Sequence, residues 1–239
     1  MAELSLPILP EFLFRYRPLT GPDDEVYGPG TVFDREVKAI MEPYLWCADF
    51  KNLNDPMEGL FDPTRRLKKH SRWQTVVDEI IAGKSGIGVA SFSDTKHNEL
   101  MWTHYAGRSS GICVEYRPLK LVASLPRETR LVRVAYDDKP AFVSVADMDN
   151  IPSAIQKVLS QKKFNWAYER EWRLLSLVGA TKVNEKTAIK RIYLGTRITD
   201  EHRSKLREAV AGSHIEIYEM RVNGYRYTHH KIKTLTSPK

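Results

Sequence analysis

The short gaps between strand-like segments constrain this chain more than any other feature. Strand patterning recurs at Phe12 to Arg17, Tyr44 to Cys47, Ile87 to Ser93, Ile112 to Tyr116, Arg130 to Tyr136, Tyr168 to Leu177, Ile189 to Leu194, Ile215 to Met220 and Val222 to Ile232. A parallel pair within one sheet needs a crossover of about a dozen residues or more, usually helical. Several gaps here, such as Met220 to Val222, hold far too little chain for that. The pattern predicts an α+β protein whose sheet is mixed and mostly antiparallel, with flanking helices, and not a doubly wound parallel sheet. Helices are expected from Thr31 up to Pro43, from Ser71 to Ala82 with Gly83 as the stop, and from the Asn98 cap to Ala106 with Gly107 closing it. Two more are expected at Ser153 to Lys162 and Thr199 to Ala211, while the Gly21-Pro22-Asp23-Asp24 cluster reads as a turn.

A chain of 239 residues can bury a core without staples. It reads as a single domain over 1–239, with a motif-bearing core at about 12–195 and a C-terminal β-α-β extension at about 188–234. The two thiols, Cys47 and Cys113, sit in apolar stretches and make neither a disulfide framework nor a zinc site. Met1 to Pro10 lacks a basic leader region and a small-residue cleavage site, and no run is apolar enough to span a bilayer. The expectation is a cytoplasmic protein without a membrane partner. A net charge of +7 favours an anionic partner, a nucleotide or nucleic acid. Its one dense knot, Arg65-Arg66-Leu67-Lys68-Lys69-His70, reads equally as a solvated helix face. G-x-G-x-x-G and Walker A patterns are absent, which argues against Rossmann and P-loop sites.

Four constellations have the residue types that chemistry needs. Asn52-Leu53-Asn54-Asp55-Pro56-Met57-Glu58 gathers two amides and two carboxylates in one turn, either a clamp beside a ligand or a loop that folds itself. In Ser91-Phe92-Ser93 two hydroxyls share a strand face, suited to a ribose or phosphate, or to finishing an edge. Met101-Trp102-Thr103-His104-Tyr105-Ala106 offers aromatic rings and a histidine that could stack on a base, or simply fill a core. In Phe164-Asn165-Trp166-Ala167-Tyr168-Glu169-Arg170-Glu171-Trp172-Arg173, read as a strand, Tyr168, Arg170 and Trp172 share one face, and Glu169, Glu171 and Arg173 the other. That face is an Arg–Glu ladder or a pair of carboxylates lining a cleft.

Together with Phe14-Arg15-Tyr16-Arg17-Pro18-Leu19, Leu45-Trp46 and Gly111-Ile112-Cys113-Val114-Glu115-Tyr116, these motifs resemble the bacterial and phage family called domain of unknown function 2971, over about residues 12 to 195. Met57 stands where that family often has Phe. A more distant resemblance is to ADP-ribosyltransferase-like folds, which carry a basic residue on the first strand, a Ser or Tyr on a middle strand and a Glu on a late one. The resemblance implies NAD as cofactor. Arg15 and Tyr16 would meet the pyrophosphate end, Ser91 and Ser93 the ribose, and Trp102, His104 and Tyr105 the ring, with Asn54, Asp55 and Glu58 in a neighbouring loop. Glu171, with Glu169 as the alternative, would be the catalytic carboxylate of an NAD-dependent transferase or NAD hydrolase in defence or toxin settings. Two other classes stand beside it. One is a nucleic-acid-binding protein or metal-dependent nuclease, with Asp55, Glu58, His104 and Glu171 as Mg²⁺ ligands, although no metal motif is present. The other is a non-catalytic interaction module whose motifs serve folding.

Overall fold

The computed structural model describes residues 9–232. The segment before Leu9, on which the reading of the N-terminus rests, and the last residues of the C-terminal extension lie outside them. The chain opens with β1 (Leu13–Arg17), α1 (Pro22–Tyr27), α2 (Thr31–Met41), β2 (Tyr44–Asp49), β3 (Phe61–Pro63), α3 (Arg65–Lys68), α4 (Trp73–Lys84) and β4 (Ile87–Ser93). It continues through α5 (Glu99–Tyr105), β5 (Ile112–Tyr116), α6 (Pro118–Ala123), β6 (Arg130–Arg133), β7 (Ala135–Tyr136), β8 (Ala141–Val143) and α7 (Ile151–Leu159). It closes with β9 (Gln161–Lys162), β10 (Glu171–Leu177), β11 (Gly179–Lys182), β12 (Ile189–Leu194), α8 (Asp200–Ala209), β13 (Glu216–Asn223) and β14 (Arg226–Lys231). The strand pairing is mixed and mostly antiparallel, as the short gaps require.

Two compact units emerge. Among the described residues the first takes 9–45, Phe92–Leu125 and 182–232; the second takes Trp46–Ser91 and Pro126–Thr181. In the first unit β5 pairs antiparallel with both β1 and β12, β12 runs parallel to β13, and β14 folds back on β13 as a hairpin. The parallel step is made through α8, whose cap is the Thr199 hydroxyl accepting from His202 N–H. Leu13, Ile112, Ile192 and Ile217 are buried along these strands. In the second unit the order is β11-β2-β4-β10-β6, with parallel two-stranded pieces β3–β8 and β7–β9 beside it. Its apolar core sets Val76 and Ile80 of α4 with Ile155, Val158 and Leu159 of α7.

Several boundaries differ from the sequence reading for identifiable reasons. The expected stop at Gly83 is instead a contact point: a Cβ there would lie 2.3 Å from Ile155 Cδ1, so the bare backbone lets α7 approach α4 and the helix continues to Lys84. The turn cluster after β1 forms the short helix α1, with Pro22 in its first turn and Asp24 accepting the Gly21 N–H. The single strand expected at Arg130 to Tyr136 splits at Val134, because β6 pairs with β10 and β7 with β9. The helix expected to reach Lys162 ends at Leu159, since Lys162 enters β9. At Gly88 two stretches of backbone pass close by: a Cβ there would sit 2.7 Å from the Cys47 carbonyl oxygen and 2.8 Å from Val178 Cα. Cys47 and Cys113 are both buried.

Candidate functional site

The second unit buries five charged side chains together: Glu58, Lys162, Glu169, Glu171 and Arg173. Glu58 comes from the loop between β2 and β3. Asp55 shapes that loop, its Oδ1 accepting the Met57 N–H at 2.9 Å and its carbonyl the Glu58 N–H at 3.1 Å. Asp55 is thus spent on folding the turn, Asn54 is exposed, and Glu58 alone of the three points into the cluster. Lys162 comes from β9, and Glu171 and Arg173 from one face of β10.

The strand expected from Tyr168 begins only at Glu171. Phe164–Glu169 is a 3-10 turn, and Arg170 takes a left-handed conformation with φ 49°. That kink replaces the simple alternation that would set Glu169 and Glu171 side by side on one strand face. Both reach the same ammonium: Lys162 Nζ lies 2.6 Å from Glu169 Oε2 and 3.5 Å from Glu171 Oε2. A non-glycine residue in this region costs about 1–2 kcal/mol.

Arg173 has all five guanidinium N–H groups engaged. Nη1 and Nη2 donate to Glu58 Oε2 and Oε1 at 2.7 and 2.6 Å, Nε and Nη2 to Glu171 Oε1 and Oε2 at 2.9 and 3.0 Å, and Nη1 also to the Leu159 carbonyl at 2.7 Å. Burial alone would raise the Glu171 pKa, but Arg173 and Lys162, with a hydrogen bond from Ser91, hold it well below the ordinary carboxylate value. Burial likewise works against the Lys162 charge, yet Glu171 and Glu169 raise its pKa. Three carboxyl groups thus meet two cationic side chains in the cluster. Beside the buried cluster Ser91 is exposed, and Trp166 and Tyr168 are half-buried with ring centroids 6.1 Å apart. Lys162 Nζ lies 4.7 Å from the Trp166 ring centroid.

The other expected site residues lie in the first unit. Arg15 is half-buried, its guanidinium 5.8 Å from the Phe92 ring centroid. Tyr16 is buried and donates to the Thr95 carbonyl at 2.8 Å. Trp102 is 0% exposed, edge-on to Tyr16 at 5.2 Å, with its indole N–H donating to the Lys96 carbonyl at 2.8 Å. Stacking on an external ring, the role expected of it, is therefore closed to Trp102; it is a core residue. Ser93 is fully buried and accepts the Thr95 N–H, so it too is withdrawn from any ligand. His104 is exposed and Tyr105 half-buried, in edge contact at 6.3 Å. The Mg²⁺ set is not assembled: both Glu58 oxygens face Arg173, and among the described residues no group of three or more His, Cys, Asp or Glu is placed to hold a metal.

The run from α5 through β5 to Glu171 and Arg173 on β10 has the order that the motifs set out. Over residues 101–174 the chain matches the family described as Protein of unknown function (DUF2971). The match bears out the family resemblance, and the DUF2971 span holds both the Met101–Ala106 and the Tyr168–Arg173 motifs. No curated protein and no solved structure matches the chain. Among the described residues no helix is long and apolar enough to cross a membrane.

Sequence reasoning missed Lys162, Trp166 and Tyr136, whose hydroxyl accepts the Glu171 N–H at 2.7 Å. Gln161-Lys162-Lys163 carries no signal that one lysine turns inward. Arg173 was legible only as a ladder partner, not as the hub.

Proposed function

We propose that this protein is an NAD-using enzyme, an ADP-ribosyltransferase or NAD glycohydrolase, acting where Ser91 meets Glu171. One observation carries the reading: the buried Glu171 carboxylate, held ionised, accepts a hydrogen bond from Ser91, an exposed residue. In the reaction the bond between ribose C1′ and the nicotinamide nitrogen breaks, and nicotinamide leaves with the electron pair. Positive charge develops on C1′ and the ring oxygen. Water or an acceptor side chain then gives an electron pair to C1′ and loses its proton. A fixed negative charge beside that cation lowers the barrier without reorganising. Glu171 supplies it. Ser91 positions the ribose, and Trp166 with Tyr168 takes the ring-stacking role once expected of Trp102.

Thermal melting with NAD is the test. Ligand at about a hundred times its dissociation constant stabilises the native state by about 2.7 kcal/mol, a shift of a few degrees at this size. The shift should shrink in Ser91→Ala, an exposed position. No shift with NAD well into the millimolar range removes the proposal.

A second reading, a non-catalytic module with the cluster as folding determinant, is favoured by the saturation of Arg173. Under it Glu171→Gln loses stability and nothing else.

A further inference from the structure

The register of the first unit puts one set of side chains on one sheet face. Phe14 opposes Glu115 and Glu115 opposes Arg191, while Cys113 opposes Tyr193, Tyr193 opposes Tyr218, and Met220 opposes His229. The acid in this face is already satisfied: Glu115 is 0% exposed and accepts the Tyr193 hydroxyl at 2.6 Å and Arg191 Nη1 at 3.0 Å. Arg191 also donates to Glu216 at 2.9 Å. Lys96 lies over the same face, its ammonium 5.1 Å from each of the Phe14 and Tyr193 ring centroids. Burial works against the charge of that ammonium, and the carboxylates of Glu115 and Glu11 act in its favour. The segment carrying it is anchored, because Tyr16 donates to the Thr95 carbonyl and Trp102 to the Lys96 carbonyl, each at 2.8 Å. Next to it His97 and His229, both exposed, stack at 5.5 Å with ring nitrogens 3.4 Å apart, and His229 stands edge-on to Tyr193 and Tyr218 at 5.4 and 5.5 Å.

We propose that this face is a nucleotide-binding site, with Lys96 meeting a phosphate and the His97–His229 pair, backed by Tyr218, stacking on the base. A half-buried ammonium on two rings has already been desolvated by the fold and gains most from an anion. Stacked imidazoles at a surface offer a flat polarizable face, which suits any base. Burial first, and then the charge of Lys96, lowers both histidine pKa values, so the rings are neutral near neutral pH and stack without repelling one another. Lys96 beside them disfavours a metal cation between the two ring nitrogens. The site is separate from the carboxylate cluster of the second unit and does not depend on its activity.

The test titrates the full-length protein with adenosine monophosphate, inorganic phosphate and a fluorescent single-stranded oligonucleotide, followed by anisotropy or competition. Adenosine monophosphate should bind more tightly than inorganic phosphate. Lys96→Met, which keeps the apolar stem, should weaken binding about tenfold and lower the salt slope by about one. His97→Gln, at an exposed position that leaves the core alone, should weaken binding about fivefold or more. An oligonucleotide that binds more tightly than the mononucleotide identifies a strand as the ligand; equal affinity identifies a free nucleotide. Inorganic phosphate binding as tightly as the nucleotide, no binding of any probe, or affinities that both variants leave unchanged would overturn the proposal.

Discussion

Arg173 and Glu58 face each other as a buried bidentate pair, Nη1 to Oε2 at 2.7 Å and Nη2 to Oε1 at 2.6 Å, although one lies on β10 and the other in the loop after β2. Removing either partner breaks a buried bidentate contact and leaves polar groups without their best partner, although Arg173 keeps Glu171 and Glu58 keeps Lys162; such a break costs about 3–5 kcal/mol. Glu58→Gln and Arg173→Met should each lower unfolding stability by that amount in chemical denaturation. The double variant should lose clearly less than the sum, because the contact between the two side chains is lost only once. Arg173→Lys should not rescue, since an ammonium cannot serve five acceptor sites in a plane.

The pH dependence of stability follows from two opposed shifts. Glu171 has a folded pKa below its ordinary 4.5, so its contribution is present above that value and is lost as pH falls through the folded pKa. Lys162 has a folded pKa above its ordinary 10.5, so its contribution is present below that value and is lost as pH rises through the folded pKa. Stability should therefore hold between these limits and fall on the acid side with a slope of up to about 1.4 kcal/mol per pH unit from Glu171. Glu171→Gln should flatten the acid limb. Denaturation midpoints taken between pH 6 and pH 3 check this, and an unchanged limb in the variant contradicts it.

Arg170 joins the 3-10 turn to β10 at φ 49°. Arg170→Gly should be neutral or stabilising by up to about 1 kcal/mol, because glycine adopts this region freely. Arg170→Val should cost about 1–2 kcal/mol, since a β-branched residue is strained there. Thermal melts of the two variants measure the difference, which should exceed that between the same substitutions at an exposed position in ordinary conformation.

Gly88 on β4 faces backbone on two sides, Cys47 O at 2.7 Å and Val178 Cα at 2.8 Å from where a Cβ would stand. Backbone cannot rotate away as a side chain can. Gly88→Ala should cost about 1–3 kcal/mol, whereas Gly86→Ala, where nothing lies within 4 Å, should not.

The antiparallel bias of the sheet was legible because it follows from gap lengths, which no packing detail can alter. The Asn98 cap was legible for a similar reason: its Oδ1 accepts from both Leu100 and Met101 N–H, a local bond that tertiary context leaves in place. The site was half legible. Glu169, Glu171 and Arg173 announced themselves as charges in an apolar setting, yet their geometry depends on the kink at Arg170, which neither glycine nor asparagine marks in the sequence. Lys162 and Glu58 join them only through long-range packing of β9 and the Asp55 loop. Trp102 misled because a surface aromatic and a core aromatic look alike in one chain; its burial is decided by Tyr16 and by the Lys96 carbonyl, far off in sequence or hidden in backbone.

Nicotinamide release from NAD by the purified protein, compared with Ser91→Ala and Glu171→Gln held at a temperature where all three remain folded, tests the central claim most directly. The account predicts release by the parent, a loss of about 10²-fold or more in Glu171→Gln, and a smaller loss in Ser91→Ala. Release that is equal in all three proteins, or absent from the parent, contradicts it.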